Sequence, residues 1–330
     1  MALRELSRAI WRIGSGRPRV MILGGVHGNE RTGVEVVRRL VDRLGGGGFE
    51  ANKFRGELTL ALGHPEAIER NVRFLDEDLN RCFGERGEEE SSAGAPRSRE
   101  SQRASELADH LRELDVLVDL HATNKPSAPF VRLPGLVDLA YFERCERVFL
   151  SALPSTCSSV LWDPLGLIAQ GCMADEFALR NSAGKVYLCY ESGMAADVGA
   201  VPGVAAAVDH LLAATATWPE SFASEVATPR EWSHFEVFEV VTLDSPSFGW
   251  LGGHGAENFQ AIARGEAYGR TADGRLVEAL WQVGKPLGWQ LSLLLLCGKL
   301  GSRWVGWPGE HHPSARLGRE LTSRVGQNSV

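Results

Sequence analysis

The chain has 330 residues, 44% of them hydrophobic and 23% charged, enough for one large buried core with a smaller unit beside it. A formal net charge of −7 argues against general nucleic-acid binding. Met1–Gly16 lacks a secretory apolar stretch, and the most apolar run, Leu291–Cys297, is far too short to span a bilayer.

In chain order, Arg19–Leu23 predicts a short buried strand. Val34, Val37, Leu40, Val41 and Leu44 then recur at helical spacing, so an amphipathic helix follows. The connection Gly24–Gly33 therefore lies at the carboxyl end of a strand, where open α/β sheets hold their ligands. On it His27 offers an imidazole nitrogen and Glu30 a carboxylate oxygen, both good ligands for Zn²⁺. Their spacing can turn both toward one point, although a His-x-x-Glu pair also arises by chance. Gly45–Gly48 ends the helix, and Glu57–Gly63 predicts a second strand that stops at His64-Pro65. His64 is either a loop or cap residue or a rival metal ligand. Arg73–Arg81, RFLDEDLNR, sets two arginines and Asn80 among acids and forms either a solvated loop or an anion-binding surface. Arginine's planar fork suits carboxylates.

Gly84–Arg99 is polar and Gly/Ser/Glu-rich, an exposed loop. A helix is expected over Ser101–Leu114, and Val116–Leu120 predicts a third strand with His121 at its carboxyl end. The interval between Glu30 and His121 accommodates two βα crossovers that return to the same sheet edge. His27, Glu30 and His121 then make three ligands with a fourth position free, as a catalytic zinc needs. Asp119 either fixes the His121 imidazole from behind or belongs to a structural ion pair. Helical signals return at Tyr141–Leu153, and strands are expected at Ser159–Trp162 and Lys185–Tyr190. The latter ends at Glu191, which is either a general base beside an activated water or a solvated strand end. Cys189 is expected as buried filler. It is one of six scattered cysteines without a Cys-x-x-Cys pair, which points to reduced thiols in a cytoplasmic protein.

Val201–Ala216 is an alanine-rich helix with Pro202 in its first turn. Periodicity is then lost, and β texture takes over at Phe235–Leu243, Gly265–Thr271 and Arg275–Val283, the last two around an Asp273-Gly274 turn. The expected division is a catalytic domain over 1–217, a linker over 218–232, a small all-β domain over 233–300 and a tail over 301–330.

Four segments, GGVHGNERTG, RFLDEDLNR, DLHAT and YESG, stand in the order and approximate spacing seen in the succinylglutamate desuccinylase/aspartoacylase family of zinc hydrolases. ENFQAIARGEAYGR, residues 257–270, also resembles the β-domain motif of the desuccinylase branch. The resemblance implies an α/β fold: a zinc carboxypeptidase-like, mixed but mainly parallel sheet flanked by helices, with a smaller C-terminal all-β domain. It implies one Zn²⁺ per chain on His27, Glu30 and His121, with Glu191 as general base. Arg73 would polarise the scissile carbonyl, and Asn80 and Arg81 would bind a substrate carboxylate.

The implied reaction is hydrolysis of the amide bond of a small anionic N-acyl amino acid, N-succinylglutamate-like or N-acetylaspartate-like. The residue types suit that chemistry: zinc lowers the pKa of a bound water to about 7, a carboxylate moves its proton to the leaving amine, and cationic groups meet the developing oxyanion. Two other readings stand beside it, a zinc carboxypeptidase acting on peptides and a zinc-binding regulatory protein without turnover. No nucleic-acid or membrane partner is expected, and a homo-oligomer is left open. The chain departs from the family pattern in the loop Ala122–Pro126 and after about Lys285, and Tyr268 does not match the substrate-contacting tyrosine of the aspartoacylase branch.

Overall fold

The computed structural model describes residues 2–46, 55–84, 97–135, 137–168, 171–182, 186–215, 231–237, 248–256 and 258–279, and the backbone of 290–291. Ten strands build one sheet. In chain order they are β1 (Arg4–Ser7), β2 (Ile10–Ser15), β3 (Arg19–Gly24), β4 (Gly56–Leu62), β5 (Val116–Thr123), β6 (Phe130–Pro134), β7 (Ser159–Asp163), β8 (Val186–Met194), β9 (Ser233–Glu236) and β13 (Gln290–Leu291). Their spatial order is β1-β2-β4-β3-β5-β8-β6-β7-β9-β13. β4, β3, β5 and β8 run parallel to one another, while β6 enters antiparallel beside β8. The carboxyl ends of β3, β5 and β8 therefore share an edge with the start of β6.

Strand periodicity sorts the core into two layers. Val116, Val118 and Leu120, together with Val186, Leu188 and Tyr190, face helices α1 (Arg31–Gly45), α4 (Leu139–Val148) and α6 (Val201–Ala214). Leu117 and Tyr187 face the other way, with Met21 and Leu23, onto α3 (Arg99–Leu111) and α5 (Ala174–Asn181). A short helix, α2 (Pro65–Arg70), follows β4. Because β-strand side chains alternate, Asp119, His121, Cys189 and Glu191 share the face covered by α3 and α5.

The strands expected at Arg19–Leu23, Glu57–Gly63 and Val116–Leu120 stand as β3, β4 and β5 to within three residues, whereas β1 and β2 were not expected. β6 and α5 were not anticipated, because buried charges interrupt their apolar pattern: Arg132 in one, Asp175 and Glu176 in the other. Ser233–Glu236, expected at the start of the small β domain, instead extends the main sheet by pairing with β7. A separate three-stranded sheet is formed by β10 (Gly249–Trp250), β11 (Ala267–Arg270) and β12 (Leu276–Glu278). Its β11–β12 turn carries Gly274 at φ +87°, the conformation that selects glycine. The rest of the strand expected to Leu243, most of the linker over 218–232, residues 85–96 of the polar loop and the tail over 301–330 lie outside the described residues. Among the described residues, no helix is long and apolar enough to cross a membrane.

Candidate active site

The site begins with close backbone packing that only glycine allows. A methyl on Gly33, in the first turn of α1, would lie 2.5 Å from the Leu120 carbonyl oxygen, and one on Gly24 would lie 2.4 Å from the Gly33 carbonyl oxygen. The amino end of α1 can therefore press against β5 beside His121. Glu30 stands at the N-cap of α1, but its side chain makes no cap hydrogen bond. It turns instead into the space between His27 and His121.

All three residues are at most 3% exposed, and they offer two nitrogens and a carboxylate oxygen within 4.8 Å of one another, a group that can hold a metal ion. His27 Nδ1 is 2.7 Å from Glu30 Oε1, and His121 Nδ1 is 2.9 Å from Glu30 Oε2. The Ala122 amide also donates to Glu30 Oε2 at 2.9 Å. Each imidazole presents its other nitrogen to an outer carboxylate, Asp78 at 3.0 Å from His27 Nε2 and Asp119 at 3.0 Å from His121 Nε2. This is the pattern in which an outer acid fixes the tautomer and leaves the inner nitrogen for a metal. Two nitrogens and one carboxylate match the donor set of Zn²⁺. Burial alone would push both imidazoles down and the Glu30 carboxyl up. The mutual charges and hydrogen bonds outweigh it, so His27 and His121 are raised and Glu30 lies well below the usual carboxylate range.

Glu191 reaches the same place from the neighbouring strand, in register with His121. Its Oε2 is buried without a hydrogen-bond partner among the described residues. Burial pushes its carboxyl up to about 7, with the like charge of Glu30 adding and the two imidazoles and Arg73 opposing. An unpaired carboxylate that changes charge near neutrality suits a proton carrier.

The RFLDEDLNR segment packs over this group. Arg73 Nη1 donates to Glu30 Oε1 at 3.1 Å and Nη2 to Asp78 Oδ2 at 3.4 Å, with a third of its side chain open. Asp78 caps the single 3₁₀ turn Leu79–Arg81 by accepting from the Asn80 amide at 3.0 Å. Asn80 is buried, its Nδ2 lies 3.4 Å from His121 Nε2, and its Oδ1 has no partner among the described residues. Arg81 donates to the carbonyls of Asn80 and Ile168, and among the described residues no carboxylate lies at salt-bridge distance from it.

The structure thus brings together His27, Glu30, His121, Glu191, Arg73 and Asn80, with Arg81 at the next position of the same turn. His64 takes no part: it caps α2 through the Ala67 amide and holds Glu100 at 2.7 Å. Glu100 in turn accepts from the amides of Leu75, Asp76 and Glu77, which shapes the segment between Arg73 and Asp78. Tyr268 packs with Phe248 and Trp250 in the small sheet. Asp78 escaped the sequence reading because it was one acid among three; its place two residues before Asn80 was the available signal.

The small sheet meets the same edge. Lys125, four residues after His121, donates to the Gly255 carbonyl at 2.6 Å and lies 4.6 Å from the centre of the Trp250 ring. The Asn258 amide donates to the Pro126 carbonyl, and Phe259 packs on Phe130, the strand neighbour of Glu191.

Residues 16–159 match the succinylglutamate desuccinylase/aspartoacylase catalytic domain. The succinylglutamate desuccinylase of Pseudomonas paraeruginosa is 37% identical over 109 residues, 33% of this chain and 32% of that protein, so the chain aligns with about a third of that relative's length. The Burkholderia pseudomallei succinylglutamate desuccinylase is 29% identical over 268 residues, 78% of this chain and 71% of that protein. The crystal structure of the succinylglutamate desuccinylase from Vibrio cholerae has the same fold, with a TM-score of 0.63, 19% identity and coverage of 85% of this chain and 80% of that one. Residues 16–159 thus carry the catalytic domain of the succinylglutamate desuccinylase/aspartoacylase family.

Proposed function

We propose that the protein is a zinc-dependent hydrolase that cleaves the amide bond of a small N-acyl amino acid. The observation that carries this reading is Glu191, a half-buried carboxyl raised to about 7 whose buried Oε2 has no partner among the described residues, beside a histidine–glutamate–histidine group. Zn²⁺ held by His27, Glu30 and His121 would supply Lewis acidity to the attacking water and to the scissile carbonyl. Asp78 and Asp119 hold the two imidazoles in the orientation that leaves their Nδ1 atoms inward. Glu191 takes a proton from the water and passes it to the leaving amine, a role that a carboxyl titrating near neutrality performs in both directions. Arg73 offers positive charge at the rim for the oxyanion that forms on the carbonyl. Arg81, whose guanidinium meets only carbonyl oxygens among the described residues, is available for the α-carboxylate of the substrate, with Asn80 beside it. The small sheet meets this edge of the main sheet, with Phe259 packed on Phe130 and the Asn258 amide on the Pro126 carbonyl, which favours a small substrate over a long peptide.

Glu191→Gln tests the reading. It preserves shape and cannot accept the proton, so amine release from N-acyl amino acids should fall by about 10²–10⁴-fold while the zinc content stays at that of the parent. Loss of zinc together with activity would make Glu191 a ligand, and unchanged activity would move the base elsewhere.

A further inference from the structure

One row deeper on the same sheet face lies a second group of buried charges that the proposed chemistry does not use. Register places Asp119 beside Cys189 and Cys189 beside Arg132, directly below the row formed by His121, Glu191 and Phe130. Arg132 is 3% exposed. It donates to Asp175 Oδ2 at 2.8 Å, to Asp163 Oδ2 at 3.0 Å and to Glu176 Oε1. Three carboxylates therefore surround one guanidinium. Asp163 and Asp175 also accept backbone amides, from Leu167 and Ile168 and from Glu176 respectively. Glu176 is different: it is 4% exposed, and its Oε2 has no partner among the described residues. A buried carboxylate oxygen without a donor is costly, so such an atom marks a place for a missing donor.

This group lies on the sheet face that carries the proposed reaction centre, one residue pair along the strands from it. Cys189 lies between the two: burial raises its thiol, and the charges of Glu191, Asp119 and Asp175 all add to the rise. Ile168 packs on Cys189, and its carbonyl receives the Arg81 guanidinium. The residue proposed to hold the α-carboxylate and the wall of the deeper group are thus one contact apart. Asn80 Oδ1, Glu191 Oε2 and Glu176 Oε2, each without a partner among the described residues, belong to this same side of the sheet.

We propose that Glu176, backed by Asp163 and Asp175, forms the subsite for the side chain of the amino-acid half of the substrate and selects a short cationic side chain. The inference rests on the hydrolase reading and narrows its substrate to N-acyl derivatives of basic amino acids. Charge decides the sign. With three acids facing one base, the group lacks positive charge, and an ammonium supplies both the charge and the donor that Glu176 Oε2 needs. A side-chain carboxylate would meet three like charges, with both terminal nitrogens of Arg132 committed to them and Nε its one nitrogen without a partner among the described residues. Burial also raises Asp175 and Glu176 against the pull of Arg132, so both carboxyls give up their protons less readily than exposed acids, a penalty that a nearby ammonium offsets.

The test compares initial rates of the zinc-loaded protein on N-acetyl-L-ornithine, N-acetyl-L-lysine, the uncharged N-acetyl-L-norvaline, N-acetyl-L-glutamate and N-succinyl-L-glutamate. The better basic substrate should exceed the norvaline derivative in kcat/KM by about tenfold or more, the usual scale for a buried charged hydrogen bond. In Glu176→Gln that ratio should fall toward one. Equal rates on basic and neutral derivatives, or a preference for either glutamate derivative, would overturn the subsite and leave Glu176 Oε2 to an internal water. Calorimetry with free L-ornithine and L-norvaline gives a readout without turnover. If no N-acyl amino acid is hydrolysed yet ornithine binds selectively and loses that selectivity in Glu176→Gln, the subsite stands and the hydrolase reading falls. Hydrolysis without side-chain preference does the reverse.

Discussion

Substituting Gly33 by alanine should damage the candidate metal centre without touching any of its side chains. The added methyl would sit 2.5 Å from the Leu120 carbonyl oxygen and 2.9 Å from Leu120 Cβ. Ordinary contact begins at 3.4 Å, so the first turn of α1 must withdraw from β5 by about 0.9 Å. Overpacking of this kind costs about 1–3 kcal/mol, against the ~1 kcal/mol that alanine gains over glycine inside a helix. The protein should fold with a modestly lower Tm. The larger effect falls on Glu30, immediately before α1, whose Oε2 is held 2.9 Å from both His121 Nδ1 and the Ala122 amide. A displacement approaching 1 Å breaks both contacts, and zinc affinity measured by chelator competition should fall by about 10- to 100-fold. Gly45→Ala is the matched control, because a methyl there meets nothing within 4 Å; it should leave zinc affinity unchanged and raise stability slightly. A Gly33→Ala protein that binds zinc as tightly as the parent would refute the claim that backbone proximity of α1 and β5 builds the site.

Other outcomes follow from the same geometry. Asp78→Asn keeps a cap for the Asn80 amide but weakens the acceptor 3.0 Å from His27 Nε2, so zinc affinity should drop by about 10- to 100-fold with little change in Tm. Arg81→Lys should raise KM more than it lowers kcat, because lysine lacks the bidentate fork, whereas Arg73→Ala should lower kcat; steady-state kinetics with the reverse split would exchange their roles. Zinc affinity should rise with pH: His27 and His121 are raised, so their protons persist upward in pH and compete with the metal. Between pH 8 and pH 6 the affinity should fall by about tenfold or more per unit, with protons released on binding. A pH-independent affinity over that range would contradict the shared protonation of the group.

The candidate site was legible where a strand ended in a polar residue. His121 and Glu191 each close an apolar run, and two such runs in a parallel sheet place their ends side by side, as the His121–Glu191 register shows. His27 and Glu30, a pair that also arises by chance, were legible only together with His121, whose place at a third strand end completes a set of three ligands. Elements whose burial is polar stayed hidden. β6 carries Arg132 and ends in Pro134, and α5 begins with Asp175 and Glu176, so neither shows the periodicity that hydrophobic burial writes into sequence. Their meaning appears only when the sheet sets them together. The role of Glu100 was equally invisible, since its partners are His64 and three backbone amides of a distant loop.

The most direct test of the central claim is a zinc titration of metal-stripped protein, followed by amine release from a panel of acidic, neutral and basic N-acyl amino acids. Activity should be absent without metal, rise in proportion to added zinc and level off at about one equivalent per chain, since three ligands build one open site. His27→Ala and His121→Ala should abolish the rise. Full zinc occupancy with no amine released from any member of the panel, or release that persists after zinc is removed, would contradict the account.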